Sequence, residues 1–249
     1  MPFMFEGKIL RKAAISLRRG GDMGLCGNSP ETPTQARRRF YETLGIDEKK
    51  VFFARQIHSK EIAIIDEGVF LRYRGGFVGE ADGLVSLAPE AFLAVTVADC
   101  LPVLLYDVKT GIFAALHSGW RGTGIVTEAL RRMTQSGSAP ADIAAVLGPC
   151  ISGGAYRVDA ERAALFDKEF GGGQLASYPL GPVSGKHEAG GFFVDLKAAN
   201  AALLAEAGVK NIAYCTACTC TDTRLGSFRR EGADAYTKML VITGNIHTG

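Results

Sequence analysis

Two rhythms of apolar residues run along this chain and succeed one another in no regular order. Helical spacing of apolar positions predicts helices over residues 34–44 (TQARRRFYETL), 125–135, 159–170 and 195–207, with Gly45 and Gly208 as stops for the first and last. Short β-branched and aromatic runs predict strands over residues 51–57, 61–65, 92–98, 102–106, 112–117 and 143–147. The runs PVLLYD and IFAALHS flank VKTG, a hairpin pattern whose midpoint falls near Val108–Lys109. Residues 171–191 carry many glycines and two prolines, a segment that reads as an active-site lid or a surface excursion. The pattern as a whole predicts one α/β domain over residues 1–249 with a largely mixed sheet.

Composition narrows the class of function. With 47% hydrophobic residues in 249, the chain buries a large core. A net charge of +2 and a pI of about 8.2 give no polyanion-binding surface. Arg37-Arg38-Arg39 and Arg229-Arg230 read as solvated faces or helix ends, so no nucleic-acid partner is expected. No apolar run approaches the roughly 18 residues of a membrane span, and the N-terminus has no apolar leader core. The expectation is a soluble cytoplasmic protein, monomeric or weakly homo-oligomeric, that acts on a small molecule. Six cysteines in so large a chain do not form the framework of a small secreted domain.

Three of the polar residues that end apolar runs change the picture. His58 follows VFFARQI, Cys100 precedes LPVLLYD, and His117 closes IFAAL. Cys100 and His117 lie almost symmetrically about the hairpin turn, so antiparallel pairing brings them to the same open end. Two imidazoles and a thiolate suit zinc, and three protein ligands leave a position for water or substrate. Without a metal, the same residues read as a buried thiol and two histidines bonded to backbone. Asp99 is placed to orient a ligating imidazole, or alternatively to cap the turn before Pro102.

The turn after His117 adds an anion-binding pattern. Gly119, Gly122 and Gly124 allow close backbone approach, Thr123 is placed to cap the helix from Ile125, and Arg121 stands beside them. Trp120 either stacks on a base or packs into the core. CTACTC (Cys215, Cys218, Cys220) lacks a second ligand pair at a distance and reads as buried or incidental cysteines.

At these residues the sequence resembles the YfiH family, described variously as laccase-like polyphenol oxidase, purine nucleoside phosphorylase and peptidoglycan editing factor. The resemblance runs through Gln56–His58, Ala81-Asp82-Gly83, Ala98–Pro102, His117–Gly122, Leu147–Ile151, Cys218-Thr219 and Ser227–Arg230. It implies a four-layer α/β/β/α fold around mixed sheets, with zinc on His58, Cys100 and His117. The chain departs from the family pattern at Arg157, Leu225-Gly226 and Ala235-Tyr236, which bears on substrate preference.

The resemblance implies a zinc-dependent enzyme that phosphorolyses adenosine, inosine or methylthioadenosine and deaminates adenosine. Catalytic roles then fall to His58, Cys100, His117, Asp99 and Arg121, and substrate contacts to Gln56, Asp82, Trp120, Gly122 and Thr123. Arg121 and the amides after it are the expected phosphate holders. Four histidines cannot build a multicopper cluster, although adventitious copper suits the same two-nitrogen, one-sulfur site. Two alternatives stand beside this reading. One is a hydrolase editing a peptidoglycan precursor, with Cys100 as nucleophile and His117 as base. The other is a metal- or nucleotide-binding module without turnover.

Overall fold

The computed structural model describes residues 2–5, 8–26, 29–171, 182–186 and 190–244. Two six-stranded sheets dominate it. The first has the order Pro2–Phe5, Lys8–Ile15, Met239–Gly244, Phe92–Val97, Val51–Arg55, Gly76–Glu80; the second runs Asn211–Tyr214, Ile143–Leu147, Leu101–Asp107, Phe113–Ser118, Gly83–Ser86, Ile62–Ile65. Each contains both parallel and antiparallel neighbours, as expected of a mixed α/β protein.

Strand periodicity explains the layering. In Phe92–Val97, Leu93, Val95 and Val97 point into a core shared with Leu84, Leu104, Phe113 and Ala115 of the second sheet. Their neighbours Phe92 and Ala94 face the other way and pack with Tyr41, Met23 and Ile46 around the helix Gln35–Thr43. In the second sheet, Val103, Leu105, Ala114 and Leu116 face outward onto Ile125, Ala129 and Met133 of the helix Ile125–Gln135 and Ala198, Ala201 and Leu204 of the helix Leu196–Glu206. The four layers implied by the resemblance are present: helix, sheet, sheet, helices. Because both faces of each central strand are covered, these strands carry almost no polar residues.

The predicted helices and strands are found to within a few residues, with two informative differences. The strand expected to reach Ile57 stops at Arg55, so His58 sits in a loop with a positive φ of 59° and does not close the strand. In the hairpin, Leu101 pairs with Ser118 and Pro102 with His117, which moves the turn axis to Lys109–Thr110, a residue beyond the expected midpoint. Of the glycine-rich segment 171–191, residues 172–181 and 187–189 lie outside the described residues; Ser184–Lys186 is a strand of a small third sheet with Phe192–Val194 and Arg157–Val158. No described helix is long and apolar enough to cross a membrane.

Candidate metal centre and substrate cavity

The open end of the hairpin carries Cys100 and His117, and the loop after Val51–Arg55 brings His58 to them. One ligand atom from each of the three lies within 4.8 Å of the others, and the two imidazole rings meet edge to face at 4.9 Å. Two glycines make room for this. A Cβ at Gly119 would stand 3.1 Å from Cys100 Sγ and 3.1 Å from His58 Cδ2, and one at Gly122 would stand 2.8 Å from the Ser59 carbonyl oxygen.

Asp82 holds the trio in place. Its buried carboxylate accepts the backbone N–H groups of Ile57, His58 and Ser59 at 3.1, 3.0 and 2.7 Å and the Ser59 hydroxyl at 2.8 Å. His117 Nδ1 lies 2.8 Å from Asp82 Oδ1. An ionised carboxylate only accepts, so Nδ1 carries a proton and Nε2 is the nitrogen left to face an ion. Burial works to raise the Asp82 carboxyl, but the His117 and Ser59 bonds bring it down to about 2.

The electrostatics suit a cation. Burial alone would raise the Cys100 thiol, yet His117 and His58 beside it lower it to about 6. Burial likewise disfavours charge on His117, and the Cys100 thiolate and Asp82 outweigh it, raising the imidazole to about 9. A ready thiolate, one oriented imidazole and a second beside it fit a borderline divalent ion with an open coordination position.

The sequence-predicted positions divide sharply here. Asp82, expected to contact substrate, is 1% exposed behind the histidines, where its carboxylate bonds to the His58 loop and to His117. The orienting role expected of Asp99 belongs to Asp82. The Asp99 carboxylate instead accepts from the Thr219 hydroxyl and the Arg229 backbone N–H, both at 2.6 Å, and its φ of 88° turns the chain just before Cys100. Gln56 lines the cavity, but its amide bonds both ways with the Thr96 backbone at 2.7 Å and so prolongs the sheet. Thr123 is fully buried and donates to the Gly119 carbonyl oxygen; the helix cap falls to Gly124. Gly122 is buried against Ser59, away from the cavity lining. Arg121 is exposed, stacks on Trp120 at 5.1 Å and does not line the cavity either.

A cavity of about 440 Å³ opens over His58, Cys100 and His117. Its wall contains residues that the sequence did not mark for this role: Tyr156, Arg162, Phe228, Arg229, Tyr236 and Lys238. Phe228 and Tyr236 pack edge to face at 5.1 Å, and Trp120 faces the same space. The only early signals were the Ser227–Arg230 motif and the unusual Tyr236. Among the described residues no second ligand cluster forms: Cys218 Sγ accepts the Ser152 N–H at 3.4 Å, and burial pushes Cys150 up to about 12.

Comparison with known proteins matches residues 17–243 to a family described as multi-copper polyphenol oxidoreductase laccase. A purine nucleoside phosphorylase of Mycobacterium tuberculosis is 33% identical over 207 residues, 82% of this chain and 77% of that protein. An adenosine deaminase from an unknown prokaryotic organism is 34% identical over 205 residues, 77% and 74% of the two chains. Among solved structures, the hypothetical protein YfiH of Bacillus licheniformis superposes with a TM-score of 0.79 at 27% identity, over 93% of this chain and 91% of that one. YlmD of Geobacillus stearothermophilus gives 0.78 at 26%, over 96% and 93%.

Proposed function

This chain belongs to the YfiH family, and from that premise we propose a zinc-dependent enzyme, folded as one catalytic domain, that acts on purine nucleosides. The proposed reactions are phosphorolysis of adenosine, inosine or methylthioadenosine and deamination of adenosine, the activities named in its relatives. The observation that carries the reading is a thiolate-bearing metal trio at the floor of a cavity walled by Trp120, Tyr156, Phe228 and Tyr236. A volume of about 440 Å³ accommodates a nucleoside, and flat π-faces suit a purine ring. Zinc held by His58, Cys100 and His117 would supply Lewis acidity and an acidified water at neutral pH.

The chain's own groups do the rest. Asp82 fixes the His117 tautomer and the His58 loop, so that both imidazoles aim at one point. The aromatic wall orients the base and excludes water from one side. The four histidines of the chain argue against multicopper oxidation, whatever the family's description. The proposed setting is the cytoplasm, with the protein as a monomer or weak homo-oligomer.

Metal analysis of purified untagged protein, with turnover assays on adenosine, inosine and methylthioadenosine, tests this. We expect one zinc per chain and both activities, lost together in Cys100→Ala. Cys100→Ala protein that keeps stoichiometric zinc and still cleaves adenosine would overturn it. A second reading has one observation in its favour: Asp82, His117 and Cys100 also form a line suited to a thiolate nucleophile that hydrolyses a peptidoglycan precursor. That activity would survive a chelator and yield to alkylation, whereas the zinc enzyme fails with the chelator.

A further inference from the structure

Several basic side chains of the described surface are paired with carboxylates. Glu128 holds Arg131 and Arg132, Asp222 holds Arg224, Glu169 holds Lys60, and Glu48 holds Arg38. The cavity lining holds no such pair. Arg162, Arg229 and Lys238 all line it, and none forms a salt bridge among the described residues. The one carboxylate in the lining, Asp99, already accepts from Thr219 and the Arg229 backbone.

The two guanidiniums are held by their faces. Arg162 stacks 4.8 Å over the Trp120 ring and Arg229 5.5 Å over the Tyr156 ring. Arg229 Nη1 donates to the Arg157 carbonyl oxygen at 3.0 Å, and Arg162 bonds the Tyr156 phenol. A guanidinium has more in-plane donors than these bonds use, so each keeps donors for a ligand in the cavity that it lines. Unmatched positive charge, fixed in orientation and bordering a cavity, is the chemistry of a doubly charged oxyanion site. Arg121, by contrast, sits outside the lining.

We propose that Arg162 and Arg229, supported by Lys238, form the subsite for a phosphate dianion in the same cavity as the metal trio. The assignment deepens the purine nucleoside reading and rests on it for the identity of phosphate as a co-substrate. It moves that role from Arg121, the sequence neighbour of Trp120, to two residues on remote segments.

The test titrates zinc-loaded protein with inorganic phosphate, followed by calorimetry and ³¹P line width, alongside phosphate KM in nucleoside phosphorolysis. Arg162→Gln and Arg229→Gln are each expected to weaken phosphate binding about tenfold or more, the effect of losing a charge-assisted donor. Arg162→Lys should recover only part of the loss, because charge returns without the fork. Phosphate KM should rise far more than nucleoside KM, while zinc content and melting temperature stay unchanged. Arg121→Gln should bind phosphate as the parent does. Unaltered phosphate affinity in the Arg162→Gln/Arg229→Gln double variant would overturn the proposal, as would its loss in Arg121→Gln.

Two further arms separate the possibilities. Phosphate that still binds with adenosine saturating marks a site for the free anion. A nucleoside 5′-monophosphate that displaces both phosphate and adenosine marks a site for the substrate's own phosphate. Protein that binds phosphate at these arginines yet turns over no nucleoside would retain the subsite and remove the nucleoside reading. Nucleoside turnover with unchanged phosphate KM in the double variant would do the reverse.

Discussion

The floor and the wall of the cavity are built on opposite principles. At the floor, Asp82 alone accepts from Ile57, His58, Ser59 and His117, and His117 is 3% exposed. At the wall, Phe228 is 49% exposed, Arg229 is exposed, and no carboxylate among the described residues pairs with the cations. Cys100 and His117 hang from the ends of paired strands and His58 from a loop tied to Asp82, while the wall comes from loops and helix starts near Tyr156, Arg162 and Phe228. The difference teaches where tolerance lies. A group held by several buried bonds cannot be replaced without loss, whereas a half-solvated ring on a loop can change and retune which molecule fits.

The largest expected effect is at the floor. Cys100→Ala should remove stoichiometric zinc and reduce turnover about a thousandfold or more, read by metal analysis and steady-state assay. Asp82→Asn keeps the shape but removes the charge that fixes His117 Nδ1, and zinc affinity should fall about 10–100-fold in a chelator competition. A wild-type zinc affinity there would break the contrast at its strongest point.

Acid should weaken the same site in a defined sense. The Cys100 thiol is lowered to about 6 and His117 raised to about 9, so an ion entering at neutral pH displaces the imidazole proton. As pH falls through about 6 the thiol proton must leave as well. Zinc affinity is therefore expected to decline on acidification and to do so more steeply below about pH 6, whereas a flat profile would contradict the arrangement.

Wall substitutions should be milder. Tyr156→Ala or Phe228→Ala should raise nucleoside KM roughly tenfold, the scale of one lost stacking contact, with zinc retained. The smallest effect is expected for Arg121→Gln, less than about twofold on any kinetic constant, since its side chain is an exposed partner of Trp120. A large loss there would sharpen the comparison in an unexpected direction by extending the floor's intolerance to its outer rim.

The contrast also sorts what the amino-acid order reveals. Cys100 and His117 were legible because a hairpin is a local device: a turn and two apolar runs imply the pairing to within one residue. His58 was legible as a residue type, though its loop, with a φ of 59°, was not. The bonds of Asp82 were not legible because its partners lie 23 to 35 residues away, through a contact that no periodicity records. Arg121 was marked for its place in the glycine turn after His117, yet it is not among the residues that line the cavity, since adjacency along the chain says little about which side of a turn a side chain leaves. Arg162 escaped notice and Arg229 was read as a solvated face because the two border one cavity only after distant segments fold together. The strands Lys8–Ile15 and Met239–Gly244 were missed although they pair with one another, Ile15 opposite Val241.

That last pairing bears on the timetable of folding. Met239–Gly244 is inserted between Lys8–Ile15 and Phe92–Val97, and Leu240 donates its N–H to Ser16 Oγ, 224 positions apart in sequence. A chain emerging from a ribosome N-terminus first has two open strand edges in its first sheet until its final described strand arrives. The hairpin Leu101–Ser118 and its neighbours Gly83–Ser86 and Ile143–Leu147 can meanwhile close, since all their partners have already been made. Synthesis therefore delivers the hairpin with Cys100 and His117 early, and the segment that seals the other sheet, together with the wall residues Phe228 and Tyr236 just before it, comes last.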